Sequence, residues 1–268
     1  MKEKVVIITG GTSGIGKACA FAFGAAGAIV VVTGRDQIKL NQTSEELTKA
    51  GITHLAFVAD VSKEADARQM VEKTLEAFGR IDVLINNAGI SMRALFEDLD
   101  LNVIRKVMDI NFYGTVYSTK FALPSIIKSK GSVVGVSSIA GYKGLPGRTG
   151  YSASKFAMQG FLESLRTELL PKGVHVLVAC PGFTSSNIRN TALAADGQVQ
   201  GESPRDEAKM MTSEEVAQQI LKATIMRKRD LIMTTQGKFT VFMNKWMPGL
   251  MDKLVYNHMK KEKDSPFK

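Results

Sequence analysis

The chain has 268 residues, 44% of them hydrophobic and 23% charged, with 24 Gly and 7 Pro; these are globular values that exclude wholesale disorder. No apolar stretch approaches the roughly 18 residues of a membrane span. The run at 5–8 is too short for a signal peptide, and two cysteines, Cys19 and Cys180, cannot build a disulfide framework or a multi-ligand metal cluster. A reduced, cytoplasmic compartment is expected. The net charge of +9 is uneven: residues 222–268 hold 11 Lys/Arg and 4 Asp/Glu, so +7 sits in the tail and +2 in the body. A nucleic-acid groove would spread its charge and interleave it with aromatics, so no nucleic-acid partner is expected.

Short runs rich in β-branched residues alternate with segments of helical length. The first strand, 5–8, runs into Thr9-Gly10-Gly11-Thr12-Ser13-Gly14-Ile15-Gly16, which opens a helix over 16–26. Glycines there permit a sharp turn and let backbone N–H groups approach a diphosphate, and the helix N-terminus adds positive potential. Gly10, Thr12, Ser13, Gly14, Ile15 and Gly16 are therefore candidate cofactor contacts. The second strand, 29–32, ends at Thr33-Gly34-Arg35-Asp36. An acidic side chain at this point holds a ribose with free hydroxyls; here Gly34 takes its place and Arg35 follows, with forked donors suited to the 2′-phosphate of NADP. Ser13 could add a hydroxyl to that phosphate. In the competing reading Arg35 is a solvated charge and Asp36 caps the helix over 37–50.

After the third strand, 55–58, come Asp60 and Val61. Asp60 is either the acceptor of an adenine amino group or a turn residue. A helix over 65–78 leads to the fourth strand, 83–85, and then Asn86-Asn87-Ala88-Gly89 at the carboxyl edge, where open α/β sheets bind ligands. Asn86 reads as structural, bonding backbone between strands, while Asn87, Ala88 and Gly89 line the cofactor. One long helix is expected over 103–129, a fifth strand over 133–136, a helix over 152–170 and a sixth strand over 174–179. Residues 183–211 are polar and aperiodic, as in a lid. Thr212-Ser213-Glu214-Glu215 then starts a helix, and 231–233 is a short last strand. In the tail, Phe239, Phe242, Met243, Trp246, Leu250, Leu254 and His258 share one helical stripe that Pro248 interrupts, which predicts a kink or two short helices. This basic amphipathic extension, 237–261, packs on the domain or a partner subunit, or else touches a membrane surface.

Ser138, Tyr151 and Lys155 form the sharpest constellation. Tyr151 and Lys155 are one helical turn apart and share a face. An ammonium beside a phenol favours the phenolate and lowers a pKa that starts near 10, which suits general acid–base work. Ser138, at the end of the fifth strand, can hydrogen-bond a carbonyl or alcohol.

These residues together resemble the short-chain dehydrogenase/reductase superfamily. The resemblance runs over about residues 4–235: the 9–16 turn, Asn86 to Gly89, Asn111, Ser138, Tyr151 with Lys155, and Pro181-Gly182. It implies a Rossmann-type fold with a Ser–Tyr–Lys–Asn tetrad. Tyr151 would exchange the proton, Lys155 would also bind the nicotinamide ribose, Ser138 would hold the substrate oxygen, and Asn111 would fix a water linking Lys155 to solvent. Pro181-Gly182 would begin the segment meeting the nicotinamide, with Ser186 standing where the family often has Thr. The 185–190 segment and the tail around Trp246 look like the branch containing dehydrogenase/reductase member seven. Members of that branch often carry an N-terminal membrane anchor; here the first strand starts near Lys4, and an anchor is not expected.

The sequence thus predicts an α/β, doubly wound parallel sheet of about seven strands in one domain, 1–268. It predicts an NADP(H)-dependent oxidoreductase interconverting a ketone and a secondary alcohol on a lipophilic substrate, as a homodimer or homotetramer. A 3-oxoacyl-[acyl-carrier-protein] reductase-like enzyme and a non-catalytic NADP-binding regulatory module are the alternatives. No metal site is expected.

Overall fold

The computed structural model describes residues 1–201, 210–262 and 265–267. Seven strands, β1 (Val5–Thr9), β2 (Ile29–Gly34), β3 (His54–Val58), β4 (Val83–Asn86), β5 (Ser132–Val136), β6 (His175–Cys180) and β7 (Asp230–Ile232), lie in the order β3-β2-β1-β4-β5-β6-β7. Every pairing is parallel, with Val5 opposite Ile29 and Val6 opposite Val83. A parallel sheet needs crossovers that cover both faces, which explains why its strands read as unbroken apolar runs.

Alternation along the central strand shows the two covers. Val6 and Ile8 join a core with Phe23 of α1 (Gly14–Ala25), Leu40 and Leu47 of α2 (Gln37–Lys49), and Ile220 of α7 (Ser213–Ile225). Val5 and Ile7 point the other way, to Met70 of α3 (Glu64–Phe78), Ile126 of α5 (Gly114–Ser129), and Met158 and Leu162 of α6 (Thr149–Leu169). Both cysteines are buried free thiols; burial pushes each up to about 12, so both stay protonated at neutral pH.

The strand order reverses between β1 and β4, and that switch point opens the cleft at the carboxyl edge. The expected long helix over 103–129 is divided: α4 (Leu101–Met108) gives way to one π-helical turn, Asp109–Tyr113, before α5. Apolar periodicity runs straight through this stretch, so the bulge is invisible to it; the extra residue re-aims Asn111 into the interior. Thr212 caps α7 in a capping box, its Oγ1 accepting from Glu215 N at 3.1 Å while Glu215 Oε2 accepts from Thr212 N at 2.9 Å.

The tail forms α8 (Thr235–Trp246) and α9 (Pro248–Lys260), with Pro248 at the first turn of the second helix, where its missing N–H costs nothing. Both pack on the domain: Asn244 Nδ2 donates to Tyr142 O at 3.0 Å, and Lys143 pairs with Asp252. The segment 183–211 falls partly outside the described residues, at 202–209. Its described part is not a loose lid, because Leu193 is buried beside Met92 and Val103 and exchanges backbone hydrogen bonds with Ser91 and Arg93. Among the described residues no helix is long and apolar enough to cross a membrane, and no group of acidic, His and Cys side chains could hold a metal.

Candidate active site

Three adjoining cavities occupy the carboxyl edge of the sheet. The first, about 390 Å³, is lined by Gly10, Thr12, Ser13, Gly14, Ile15, Arg35, Asp60, Val61, Asn87, Ala88, Gly89 and Ser186. The second, about 130 Å³, is bounded by Ser138, Tyr151, Lys155, Pro181 and Gly182, and shares Ile15, Asn87, Gly89 and Ser186 with the first. The third, about 450 Å³, shares Ser138, Leu145, Pro181, Gly182 and Phe183 with the second and is closed by apolar residues of α8 and α9. The chain therefore joins a phosphate-type turn, a polar centre and an apolar chamber in series.

The first cavity fits a dinucleotide on its own geometry. Gly10 and Gly14 adopt positive φ, 63° and 50°, and a Cβ on Gly10 would lie 2.9 Å from Ala88 Cα, so the turn hugs the β4 edge as only glycine allows. Thr9, a strand residue that sequence reading passed over, locks the two loops together. Its hydroxyl donates to Ile85 O and accepts from Asn87 N and Ala88 N at 3.0 and 3.1 Å. Gly16 lies behind the cavity wall, where a Cβ would run into Gly10 O and Asn87 Nδ2; its role is close packing rather than contact. Ser13, at the N-cap of α1, makes no capping bond with its side chain, so the hydroxyl stays available to the cavity.

At the end of β2, a Cβ on Gly34 would meet Thr12 Cγ2 at 2.7 Å, so an acidic side chain has no room there. Asp36 does cap α2, accepting from Ile38 N and Lys39 N, as one reading expected. Arg35 nevertheless lines the cavity with Lys39, a second cation one helical turn on that the spacing could have disclosed. Asp60 is both a turn residue, accepting from Ser62 N and Oγ at 3.1 and 2.7 Å, and a part of the cavity wall.

One expectation about asparagines is corrected. It is Asn87, not Asn86, that bonds backbone between strands: its Nδ2 donates to Thr9 O and Gly10 O at 3.0 and 3.1 Å. Asn86 instead donates to Thr119 Oγ1 of α5 at 3.0 Å. Both lie at the strand end, and alternation alone does not say which points along the sheet. Asn111 is fully buried and lines none of the three cavities. Its amide accepts from Ile90 N at 2.8 Å and donates to Ile90 O and Ser154 Oγ at 3.0 and 2.9 Å, which braces the Gly89 loop against the catalytic helix.

Ser138, Tyr151 and Lys155 converge as expected, and burial sets the electrostatics of the resting site. Burial pushes the Tyr151 phenol above its ordinary value; the Ser138 hydroxyl and then Arg148 and Arg189 pull it back without overcoming that rise. Lys155 Nζ sits 5.7 Å from the Tyr151 ring centroid and donates to Val136 O at 2.9 Å. Burial brings this ammonium down to about 8. In the resting site burial thus outweighs the expected lowering of the phenol, and Arg148 and Arg189 are two further cations that draw it down. Both arginines line the central cavity and were missed by sequence reading; Arg148 stands one turn before Tyr151, so helical spacing was the available signal.

Comparison with known proteins agrees with this architecture. Residues 4–196 match the family model for short chain dehydrogenase. The chain belongs to the short chain dehydrogenase family. It is an oxidoreductase of that family. It is 38% identical over 271 residues to mouse dehydrogenase/reductase SDR family member 7B, covering 99% of this chain and 84% of the relative. It is 40% identical over 197 residues to 11-beta-hydroxysteroid dehydrogenase-like 4A of Arabidopsis thaliana, covering 73% and 66%. Among solved structures, a Burkholderia phymatum short chain dehydrogenase/reductase in complex with NAD superposes with a TM-score of 0.83 at 24% identity, over 93% of this chain and 95% of that one. An alcohol dehydrogenase from Thermococcus sibiricus complexed with 5-hydroxy-NADP gives 0.75 at 22%, over 87% and 96%. These two likenesses concern the fold alone.

Proposed function

We propose that this family member is an NADP(H)-dependent reductase that converts a lipophilic ketone to a secondary alcohol. The observation that carries the reading is the serial arrangement: Ser138 and Tyr151 sit where the dinucleotide-type cleft and the apolar chamber meet. A bound nicotinamide dinucleotide supplies a hydride at that junction. Gly10 to Ile15 present backbone donors to its diphosphate, while Asn87 to Gly89 and Pro181-Gly182 wall the path toward the centre. Arg35, with Ser13 and Lys39 near it, supports a 2′-phosphate, and the crowding of Gly34 by Thr12 argues against the acidic residue that NAD-binding sites place there.

At the reacting centre Ser138 donates to the carbonyl oxygen and Tyr151 delivers the proton to it as charge develops. A phenol held above its ordinary pKa by burial is protonated at neutral pH, the form that donates in the reductive direction. Lys155 supplies positive charge to the phenolate left behind and would hold the cofactor ribose. Asn111 positions the Gly89 loop through Ile90.

Tyr151→Phe tests the assignment. NADPH-dependent ketone reduction should fall by roughly 10²–10⁴-fold, the contribution of a positioned acid, while NADPH binding measured by fluorescence is retained. Undiminished turnover would refute it. A second reading, reduction of 3-oxoacyl groups on an acidic carrier protein, draws support from the exposed lysines of α8 and α9, the helices that wall the apolar chamber; comparing rates on a carrier-linked substrate and its short thioester separates the two. Exposed Tyr113 and Phe156 near the α5 and α6 faces support assembly as a homodimer or homotetramer.

A further inference from the structure

Exposed large apolar residues are scattered over most of the surface, but seven gather on α8, α9 and their junction: Phe239, Phe242, Trp246, Met247, Leu250, Leu254 and Tyr256. Trp246 is 68% exposed and Phe242 62%. Phe239, Phe242 and Trp246 fall on one side of α8 at helical spacing, and Leu250 and Leu254 repeat it on α9. A cluster of large aromatics left to water in this way marks an interaction surface.

The charges around it select the partner. Lys238, Lys245, Lys253, Lys260 and Lys261 are all exposed on the same two helices and their end. Against these five lysines the described part of the segment sets two acids, both paired: Glu262 is buried against Arg93 and Arg148, and Asp252, itself exposed, is matched by Lys143 of the domain. The outer face is therefore apolar and cationic. A second copy packed on it by a two-fold axis would set lysines against lysines. An anionic bilayer surface answers both features, with aromatics entering the headgroup boundary and lysines meeting the lipid phosphates. Neither helix is able to span a membrane, so the contact is interfacial.

We infer that α8 and α9 dock the protein on anionic lipid surfaces. Phe239 and Leu254, both exposed on this face, also line the apolar chamber that ends at Ser138. Docking thus sets the mouth of that chamber against the lipid, whichever carbonyl compound is reduced, and the surface inference stands independently of the catalytic assignment.

Trp246 is the single tryptophan of the chain, so its emission reports this face alone. The full chain is mixed with phosphatidylcholine vesicles with and without phosphatidylserine, and emission and co-sedimentation are followed. A blue shift with the anionic vesicles, reversed by high salt, is expected. The double variant Lys245→Glu/Lys253→Glu should weaken binding about tenfold or more, since each lysine near an anionic surface contributes about a fivefold factor; Phe242→Ser should reduce the shift. No response to anionic vesicles at low salt overturns the inference. So does a Trp246 already shielded from acrylamide without lipid in a chain that sediments as a dimer, which assigns the face to a second copy. A shift produced by an acidic carrier protein but not by vesicles overturns it as well.

Discussion

Arg35 and Lys155 carry the electrostatic choices of the site, and each makes a prediction. Arg35 lines the dinucleotide cleft at the end of a strand whose preceding residue cannot be acidic. Removing its donors in Arg35→Ala should raise the KM for NADPH by about 10–100-fold, the range of a hydrogen bond to a charged group, and leave the KM for NADH nearly unchanged; steady-state kinetics with both cofactors decides. Lys155 concerns pH. Burial lowers its ammonium from 10.5 to about 8 and raises Tyr151. As pH rises, the lysine loses its proton first, and with it the charge that steadies the phenolate. Hence kcat/KM for reduction should decline above about pH 8, by about tenfold per unit, while the phenol itself remains protonated. A profile flat beyond pH 10 would show that Lys155 is not the titrating group.

Elements were more legible in the sequence than contacts. The strands declared themselves because parallel strands covered on both faces must be apolar throughout, as at Val5 to Ile8 and Val30 to Val32. The convergence of Ser138, Tyr151 and Lys155 was readable because Tyr151 and Lys155 keep helical spacing and Ser138 ends a strand. The division between Asn86 and Asn87 was not, since it depends on which neighbour the pleat aims at Thr9. Nor was the π turn at Asp109–Tyr113, which changes hydrogen bonding without changing composition. The position of Lys155 relative to the phenol hydroxyl also escapes spacing, because the Val136 carbonyl that draws the ammonium belongs to a distant strand. Where a local signal is complete, as in the Thr212 capping box, sequence and structure coincide and energy follows. Thr212→Ala removes the acceptor for Glu215 N and should cost about 1 kcal/mol, lowering the thermal midpoint by about 2–4 °C; an unchanged midpoint would mean that the α7 start contributes no net stability.

At the scale of the whole molecule, the family scaffold supplies the cleft and the centre, while the tail supplies a wall. The α8 and α9 helices close a chamber of about 450 Å³ against Ser138, so under the proposed function the substrate's distant portion would be read by residues far along the chain from α6. Selectivity should then be separable from chemistry. Val255 lines this chamber without touching Tyr151 or Lys155, and Val255→Phe fills part of it. Each buried methylene of a substrate gains about 0.8 kcal/mol, so excluding two of them raises the KM for long-chain ketones by roughly tenfold or more. Short aryl ketones, which need only the central cavity, should keep their kcat and KM. A thermal midpoint like that of the parent chain would establish that packing is intact. Equal losses on long and short ketones would instead place the substrate elsewhere, and the α8–α9 wall would then serve the lipid surface alone.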